Sequence, residues 1–482
     1  MSVILQPFDV VATAASVAPE GVAISTPDTE MTFAELLDGA RRVAGLLRAA
    51  GVSPGDVVAF RVPQLMEPVV TLACFHEATT GTVLPPGYDH ESSPLVDWFV
   101  GGGLVPGLAD ERHIALDEAA MERMARMEPN DDARPYPAPD SVCHIVFSSG
   151  TTGQPKPIPI SVDTLHDRCV DRREQWMLAR PYFCQMGFST MMGFQTLMAS
   201  LIVGDVFITG RQGKDALEAI RRHGVVCSVA SPHQWGVFLQ AASRGNVPVE
   251  SLATAVSVGA ILPDFLAGQL AQKFGVEIAV MYAASECGSI ALRRGTDSAE
   301  GYTGTLVSGA EVRIVGPDSN TVAEGDVGEI AVQRSRQPQA YFGEETSPQA
   351  WRDGYFFPGD SGFLRGDRLY LTGRTSELIN AAGTKIDPAR VDAVALEFAG
   401  VTDAAVFGFI DSQGLTTVAL VFTSDAAIDV NSFMSFLGSR LGDSSPRRLA
   451  RVSEIPRTTS GKVNRELIAE MYRKMNPDTT VF

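Results

Sequence analysis

Phe33, Leu36, Leu37, Ala40, Val43, Ala44 and Leu47 recur at the spacing of one helical face. Thr32 and Glu35 form a candidate capping box ahead of them and Gly51 supplies a stop, so a helix is predicted between these signals. The run Val57-Val58-Ala59-Phe60-Arg61-Val62 then reads as a strand. A helix from about Val69 to Ala78 and a strand at Thr82-Val83-Leu84 complete a β-α-β unit. Between Pro85 and Asp140 the pattern fades. Gly101-Gly102-Gly103 interrupts it, and Pro129 to Pro139 reads as a polar loop.

The pattern resumes at Val142-Cys143-His144-Ile145-Val146-Phe147, a short apolar run of the kind that forms a buried strand. Beyond it, helices at Met191 to Val203 and Lys214 to His223 alternate with strands at Asp205 to Thr209, Val225 to Val229, Ala253 to Ser257 and Glu277 to Met281. Such alternation predicts parallel α/β layers. From Tyr302 onward, short alternating runs such as Glu311 to Val315 and Glu329 to Val332 predict a smaller β-rich subdomain. Past Gly373-Arg374 the pattern changes again. Helices at Ala389 to Phe398, Val430 to Leu441 and Asn464 to Met475, with strands at Ala404 to Gly408 and Thr416 to Phe422, predict a compact α+β unit of about 105 residues. The expected class is α/β. A large N-terminal domain (1–373) of layered α/β sheets carries the β-rich subdomain, a hinge spans 374–377, and a small α+β domain covers 378–482.

The first candidate chemistry follows the strand at Val142. Ser148, Ser149, Thr151 and Thr152 bring hydroxyls, Gly150 and Gly153 let the backbone approach an anion, and Lys156 adds a positive charge. The spacing differs from a Walker A loop, and Pro155 opposes a helix starting there. By composition alone the string reads equally as a Ser/Gly-rich surface turn. Its particular order, Ser-Ser-Gly-Thr-Thr-Gly-Gln-Pro-Lys, resembles the phosphate-binding loop of the acyl-adenylate-forming superfamily, which contains acyl- and aryl-CoA synthetases, adenylation domains of nonribosomal peptide synthetases, and luciferases. Pro157 stands where that family usually has Gly.

Further stretches are similar to the family's motifs in the same order. Met281-Tyr282-Ala283-Ala284-Ser285-Glu286 ends a predicted strand, where open α/β sheets bind ligands. The resemblance implies that Tyr282 lies against adenine, Ser285 contacts phosphate and Glu286 binds Mg²⁺; alone, the stretch reads as a strand end with a solvated Glu. Ser257-Val258-Gly259-Ala260-Ile261-Leu262-Pro263 resembles the turn that skirts adenine and acyl group, placing Gly259 and Ala260 by the nucleotide and Val258 and Ala283 by the acyl group. Tyr355-Phe356-Phe357-Pro358-Gly359-Asp360 and Gly373-Arg374-Thr375-Ser376 resemble the ribose-binding and hinge segments, implying ribose contacts for Asp360 and Arg374 and a pivot at Ser376. Gly383-Thr384-Lys385-Ile386 resembles the thiol-transfer loop, giving that role to Gly383 and Lys385. Pro456-Arg457-Thr458-Thr459-Ser460-Gly461-Lys462 resembles the motif of the catalytic lysine, here Lys462, which would offset charge at the α-phosphate. Thr190 takes the place of a frequent family histidine beside the acyl pocket. Met191 and Phe194 suggest apolar walls there, although Met and Phe at this spacing also suit a plain core.

Composition narrows this little. The 57 acidic and 39 basic residues give a net charge of −18, which opposes a nucleic-acid partner but not ATP. The six cysteines lack metal-ligand spacing and suit a reducing compartment. Neither a signal peptide nor a membrane span is apparent, so a cytoplasmic protein is expected. The resemblance implies ATP-dependent activation of a carboxylic acid to acyl-AMP with pyrophosphate release, then thioester formation with CoA. The alternatives are an adenylation enzyme loading the phosphopantetheine of a separate carrier protein, and a non-catalytic ATP-binding protein.

Overall fold

The computed structural model describes residues 6–85, 88, 95–116, 126–148, 156–244, 249–295, 301–374, 379–381, 384–410, 416–457, 463–475 and 480–481. The first helix predicted from the sequence, Phe33–Ala50, begins where the capping box puts it. Thr32 accepts from the Glu35 amide while the Glu35 carboxylate accepts from the Thr32 amide, and Gly51 ends the helix at φ +96°. Its buried face, Phe33 through Leu47, packs with the helix Glu67–His76, which connects the parallel strands Val57–Arg61 and Thr80–Val83.

Those two strands belong to a six-stranded sheet. Its order is His113–Ile114, Trp98–Gly101, Val57–Arg61, Thr80–Val83, Val142–Phe147 and Pro157–Ser161. All neighbours are parallel except the last pair, a hairpin. Pro157 and Pro159 stand in the edge strand of that hairpin. The Pro157 carbonyl points away from the sheet, since it accepts from the Phe342 amide at 2.8 Å. The period of two gives Pro159 the same outward direction, so both prolines forfeit only outward donors.

The second sheet has 12 strands. Tyr182–Cys184, Cys227–Ala230, Thr254–Val258 and Glu277–Ala284 run parallel. At Gly288–Arg294 the chain turns back, and the antiparallel strands Tyr302–Leu306, Arg368–Arg374, Asp360–Arg365 and Gly328–Gln333 continue the same sheet. The β-rich region is therefore joined strand to strand to the α/β layers. The helix Met191–Ile202 is buried along nearly its whole length and shares one core with both sheets, whereas the helices Gly213–His223, Pro232–Arg244 and Asp264–Phe274 cover the other face of the second sheet with a separate core.

The chain leaves this sheet after Arg374 and resumes at the short hairpin Ile379–Ala381 and Thr384–Ile386. A four-stranded sheet follows, centred on Val401–Ile410 and Thr416–Ser424. It carries apolar clusters on both faces, around Phe433 and Leu437 and around Ile468 and Tyr472. All six cysteines are buried and unpaired. Among the described residues, no helix is long and apolar enough to cross a membrane.

Candidate active site

The hairpin between Val142–Phe147 and Pro157–Ser161 holds both ends of the Ser/Thr/Gly loop. The Ser148 amide donates to the Lys156 carbonyl at 2.9 Å, and the Lys156 amide donates to Ser148 Oγ at 3.4 Å. Ser149, Gly150, Thr151, Thr152 and Gly153 lie outside the described residues. Lys156 Nζ sits 4.9 Å from the centre of the Tyr341 ring, a cation–π contact. Tyr341 Oη donates in turn to Glu286 Oε1 at 3.4 Å. Burial, reinforced by the neighbouring Glu286 charge, pushes the Tyr341 phenol up, so it serves as a donor. Lysine, tyrosine and carboxylate come from three distant stretches and meet beside the loop.

Glu286 is 8% exposed and stands in the tight turn between the strands Glu277–Ala284 and Gly288–Arg294. Gly288 at φ +80° allows the reversal. Beneath the turn, Arg168 Nη1 donates to the Ser285 carbonyl at 2.9 Å and Arg168 Nη2 to the Glu286 carbonyl at 3.0 Å. Arg168 is buried and belongs to a π-helical turn, Asp167–Asp171, whose own Arg168 carbonyl accepts from Trp176 Nε1 at 2.9 Å. Replacing Arg168 by Met strands the buried Glu286 carbonyl and the half-buried Ser285 carbonyl, so Arg168→Met should destabilise the protein by about 3 kcal/mol. Denaturant melts of both proteins measure this; an unchanged midpoint would remove Arg168 as the support of the turn.

Across the cleft, Tyr282 Oη donates to Asp360 Oδ2 at 2.5 Å, and Asp360 is paired in strand register with Arg374. Gly259 at φ +90° and Ala260 follow the strand Thr254–Val258 and line the same cleft, as does Ser285. The cleft encloses about 2500 Å³. Its far wall comes from the C-terminal unit, including Arg457, Val463 and Asn464. Arg457 and Val463 form a β-bridge, and Arg457 is ion-paired to Asp403 at 2.6 Å. His233 of the large unit approaches Asp403 at 3.9 Å; burial and then the Arg457 charge hold its imidazole below the usual range.

Thr190 caps the helix Met191–Ile202. Its hydroxyl donates to the Gly187 carbonyl at 2.8 Å and accepts from the Gly193 amide at 3.0 Å. A Cβ on Gly193 would lie 2.2 Å from the Gly187 oxygen, so only glycine fits there. Thr190, Met191, Val258 and Ala283 line the cleft, together with Met192 and Gln195. Phe194 does not line it. Its ring is fully buried and stacks on His144 with centroids 3.9 Å apart, and burial drives the His144 imidazole down to about 3.

Of the remaining sites expected from sequence, Lys462, Ser376 and Gly383 lie outside the described residues, and Lys385 belongs to the strand Thr384–Ile386. Cys287, beside Glu286, is no nucleophile, because burial pushes its thiol up to about 12. Among the described residues, no group of three or more His, Cys, Asp or Glu side chains converges as a metal site. Arg168 and Tyr341 were not legible as site residues from the sequence, since no local spacing links them to the motifs they touch.

The profile of the family described as "AMP-binding enzyme" matches residues 11–92 and 105–342. A feruloyl-CoA synthase of an Amycolatopsis species is 27% identical over 475 residues, spanning 93% of this chain and 95% of its own. An indoleacetate–CoA ligase of Aromatoleum aromaticum is 27% identical over 506 residues, spanning 95% and 97%. Among solved structures, the anthranilate CoA ligase AuaEII in complex with anthranoyl-AMP superposes with a TM-score of 0.86 at 19% identity, covering 98% of each chain.

Proposed function

This chain belongs to the AMP-binding enzyme family, and from that premise we propose that it is an AMP-forming acid–thiol ligase acting on a carboxylic acid, ATP and CoA. One observation carries the reading: a single cleft has Tyr282 bonded to Asp360 at one end and Lys156, Tyr341 and Glu286 joined at the other. The first pair suits a base and ribose, because the Asp360 carboxylate can accept from sugar hydroxyls. The second group suits phosphates.

In the first half-reaction a carboxylate oxygen attacks the α-phosphorus, and the bond from that phosphorus to pyrophosphate breaks. Lys156, Ser285 and the loop donors hold the phosphate oxygens, so the residues act mainly by orientation and charge. Glu286 fits a Mg²⁺ ion, since it offers one buried carboxylate to a cation that takes the rest of its oxygen ligands from phosphates and water. Bound there, the ion offsets phosphate charge. In the second half-reaction the thiol sulfur attacks the acyl carbon and AMP departs.

We assign residues 374–377 as the hinge between a nucleotide-binding domain and a mobile C-terminal domain. Two facts support this: the large sheet ends at Arg374, and the unit beyond it has its own core on both faces of its sheet. Lys462 is assigned as the lysine of the adenylation step, supported by its flanking residues Arg457 and Val463, which bridge and line the cleft. Ser376→Pro fixes φ at the pivot and should slow the overall reaction roughly tenfold while leaving each isolated half-reaction within about twofold. Overall turnover equal to wild type would reject this pivot.

ATP–pyrophosphate exchange across aliphatic, aryl and amino acids tests the activity, with CoA then added to the best acid. Exchange followed by acyl-CoA is expected. Exchange without acyl-CoA would redirect the acceptor to a carrier protein, and no exchange with any acid would refute the ligase reading.

A further inference from the structure

A second, smaller cavity of about 20 Å³ lies behind the turn that carries Glu286, against Gly288 and Ser289. Arg168, Arg172, Arg334 and Arg336 line it, and among the described residues Asp167 is the one carboxylate in its wall. Two irregular pieces of backbone bring these charges together. The π-helical turn Asp167–Asp171 closes with the Arg172 amide donating to the Asp167 carbonyl at 2.8 Å. Beyond the strand Gly328–Gln333, Arg336 stands in the left-handed region at φ +62°, which is unfavourable for a residue with a Cβ.

The outer two arginines are neutralised. Arg336 meets Asp163 and Asp171, each at 3.1 Å, and Arg172 lies 3.3 Å from Asp167. The inner two are not. Arg168 and Arg334 are each 8% exposed, and among the described residues neither has a carboxylate at ion-pair distance. Arg168 donates to the Ser285 and Glu286 carbonyls, and Arg334 to the Ser289 carbonyl and to Gln175 Oε1, all neutral acceptors. The Cys287 thiol in the same wall adds no charge, because burial keeps it protonated. Burial, and then the neighbouring Arg172 charge, weigh against the charge on Arg334. Buried cations in proteins are ordinarily paired, since their lost hydration is otherwise uncompensated. Two of them beside one cavity call for a negative charge inside it.

The cavity also sets the size of that charge. It has room for about one water molecule, which admits a monatomic anion and leaves out sulfate, phosphate and carboxylates. Each guanidinium carries five N–H groups, more than its bonds to protein use, so donors are left for an ion. We infer that this cavity is a binding site for a chloride-sized monovalent anion, held between the Arg168 and Arg334 guanidiniums. The ion fixes Arg168, and through its two carbonyl bonds it steadies the turn bearing Glu286. The inference is independent of the ligase reading.

Thermal melts at matched ionic strength test it, comparing sodium chloride and sodium bromide with sodium gluconate, whose anion is too large to enter. Chloride and bromide should raise the wild-type midpoint above that in gluconate by about 2–4 °C, and the rise should saturate. Arg334→Met removes one of the two cations and should melt alike in all three salts. Should that variant fail to fold, bromide-soaked crystals of the wild-type protein decide instead, with an anomalous peak expected in the cavity between Arg168 and Arg334. Equal wild-type midpoints in chloride and gluconate would overturn the site, as would an undiminished chloride response in Arg334→Met. Bromide peaks confined to the surface would mean an adventitious ion only, leave the cavity to water, and overturn it equally.

Discussion

Lys462→Ala is expected to slow acyl-AMP formation by at least about a hundredfold and to leave thioester formation from supplied acyl-AMP nearly unchanged. The size follows from what one preorganised donor is worth where negative charge grows on a phosphate oxygen in a water-poor site. The asymmetry follows from the hinge proposed at 374–377. On that proposal, a lysine carried by the C-terminal unit is needed at the cleft for the first half-reaction and rotates away for the second. Separate assays of pyrophosphate exchange and of CoA acylation from the adenylate decide the matter. Equal losses in both would refute the rotation, and no loss in either would refute the assignment of the lysine.

Glu286→Gln is expected to lower kcat/KM for ATP by about a hundredfold and to raise the Mg²⁺ concentration needed for half-maximal exchange. The amide keeps the shape of the side chain and can still accept from Tyr341 Oη, so the turn should stay folded. What disappears is the negative charge on which the proposed Mg²⁺ site depends. Tyr341→Phe is the control, since it removes the hydroxyl contact but leaves the charge. Titrating Mg²⁺ at fixed ATP distinguishes the roles: an unshifted Mg²⁺ requirement in Glu286→Gln would make the carboxylate a structural partner of Tyr341 only.

Much of the fold was legible because local signals and tertiary burial agree. The helix opened by Thr32 and Glu35 buries the same seven apolar residues that its periodicity marks. Three strands of the first sheet were not legible: His113–Ile114 is too short to show a pattern, and the other two fail for different reasons. Trp98–Gly101 runs into a triple glycine that reads as a breaker, yet Gly101 is needed where it stands, because a Cβ there would lie 2.3 Å from the Arg61 carbonyl oxygen. Pro157–Ser161 carries two prolines, which argue against a strand unless it lies at an edge. The site divides in the same way. Tyr282, Ser285 and Glu286 share one short stretch and Asp360 stands in its own turn, and the structure brings all four to one cleft. Arg168 and Tyr341 act through contacts between residues far apart in sequence, which no periodicity records. Phe194 shows the limit of composition near a pocket: its helix faces the cleft with Met191 and Gln195 and the core with Phe194.

The prolines of that edge strand also bear on how molecules of this protein meet one another. An exposed strand edge is an open row of donors and acceptors onto which another chain can add. Here two of the five positions have no donor to offer, and the Pro157 carbonyl is already taken by Phe342. The strand beside the Ser/Thr/Gly loop therefore gives a neighbouring chain little to pair with, which protects that border of the first sheet against aggregation at high concentration.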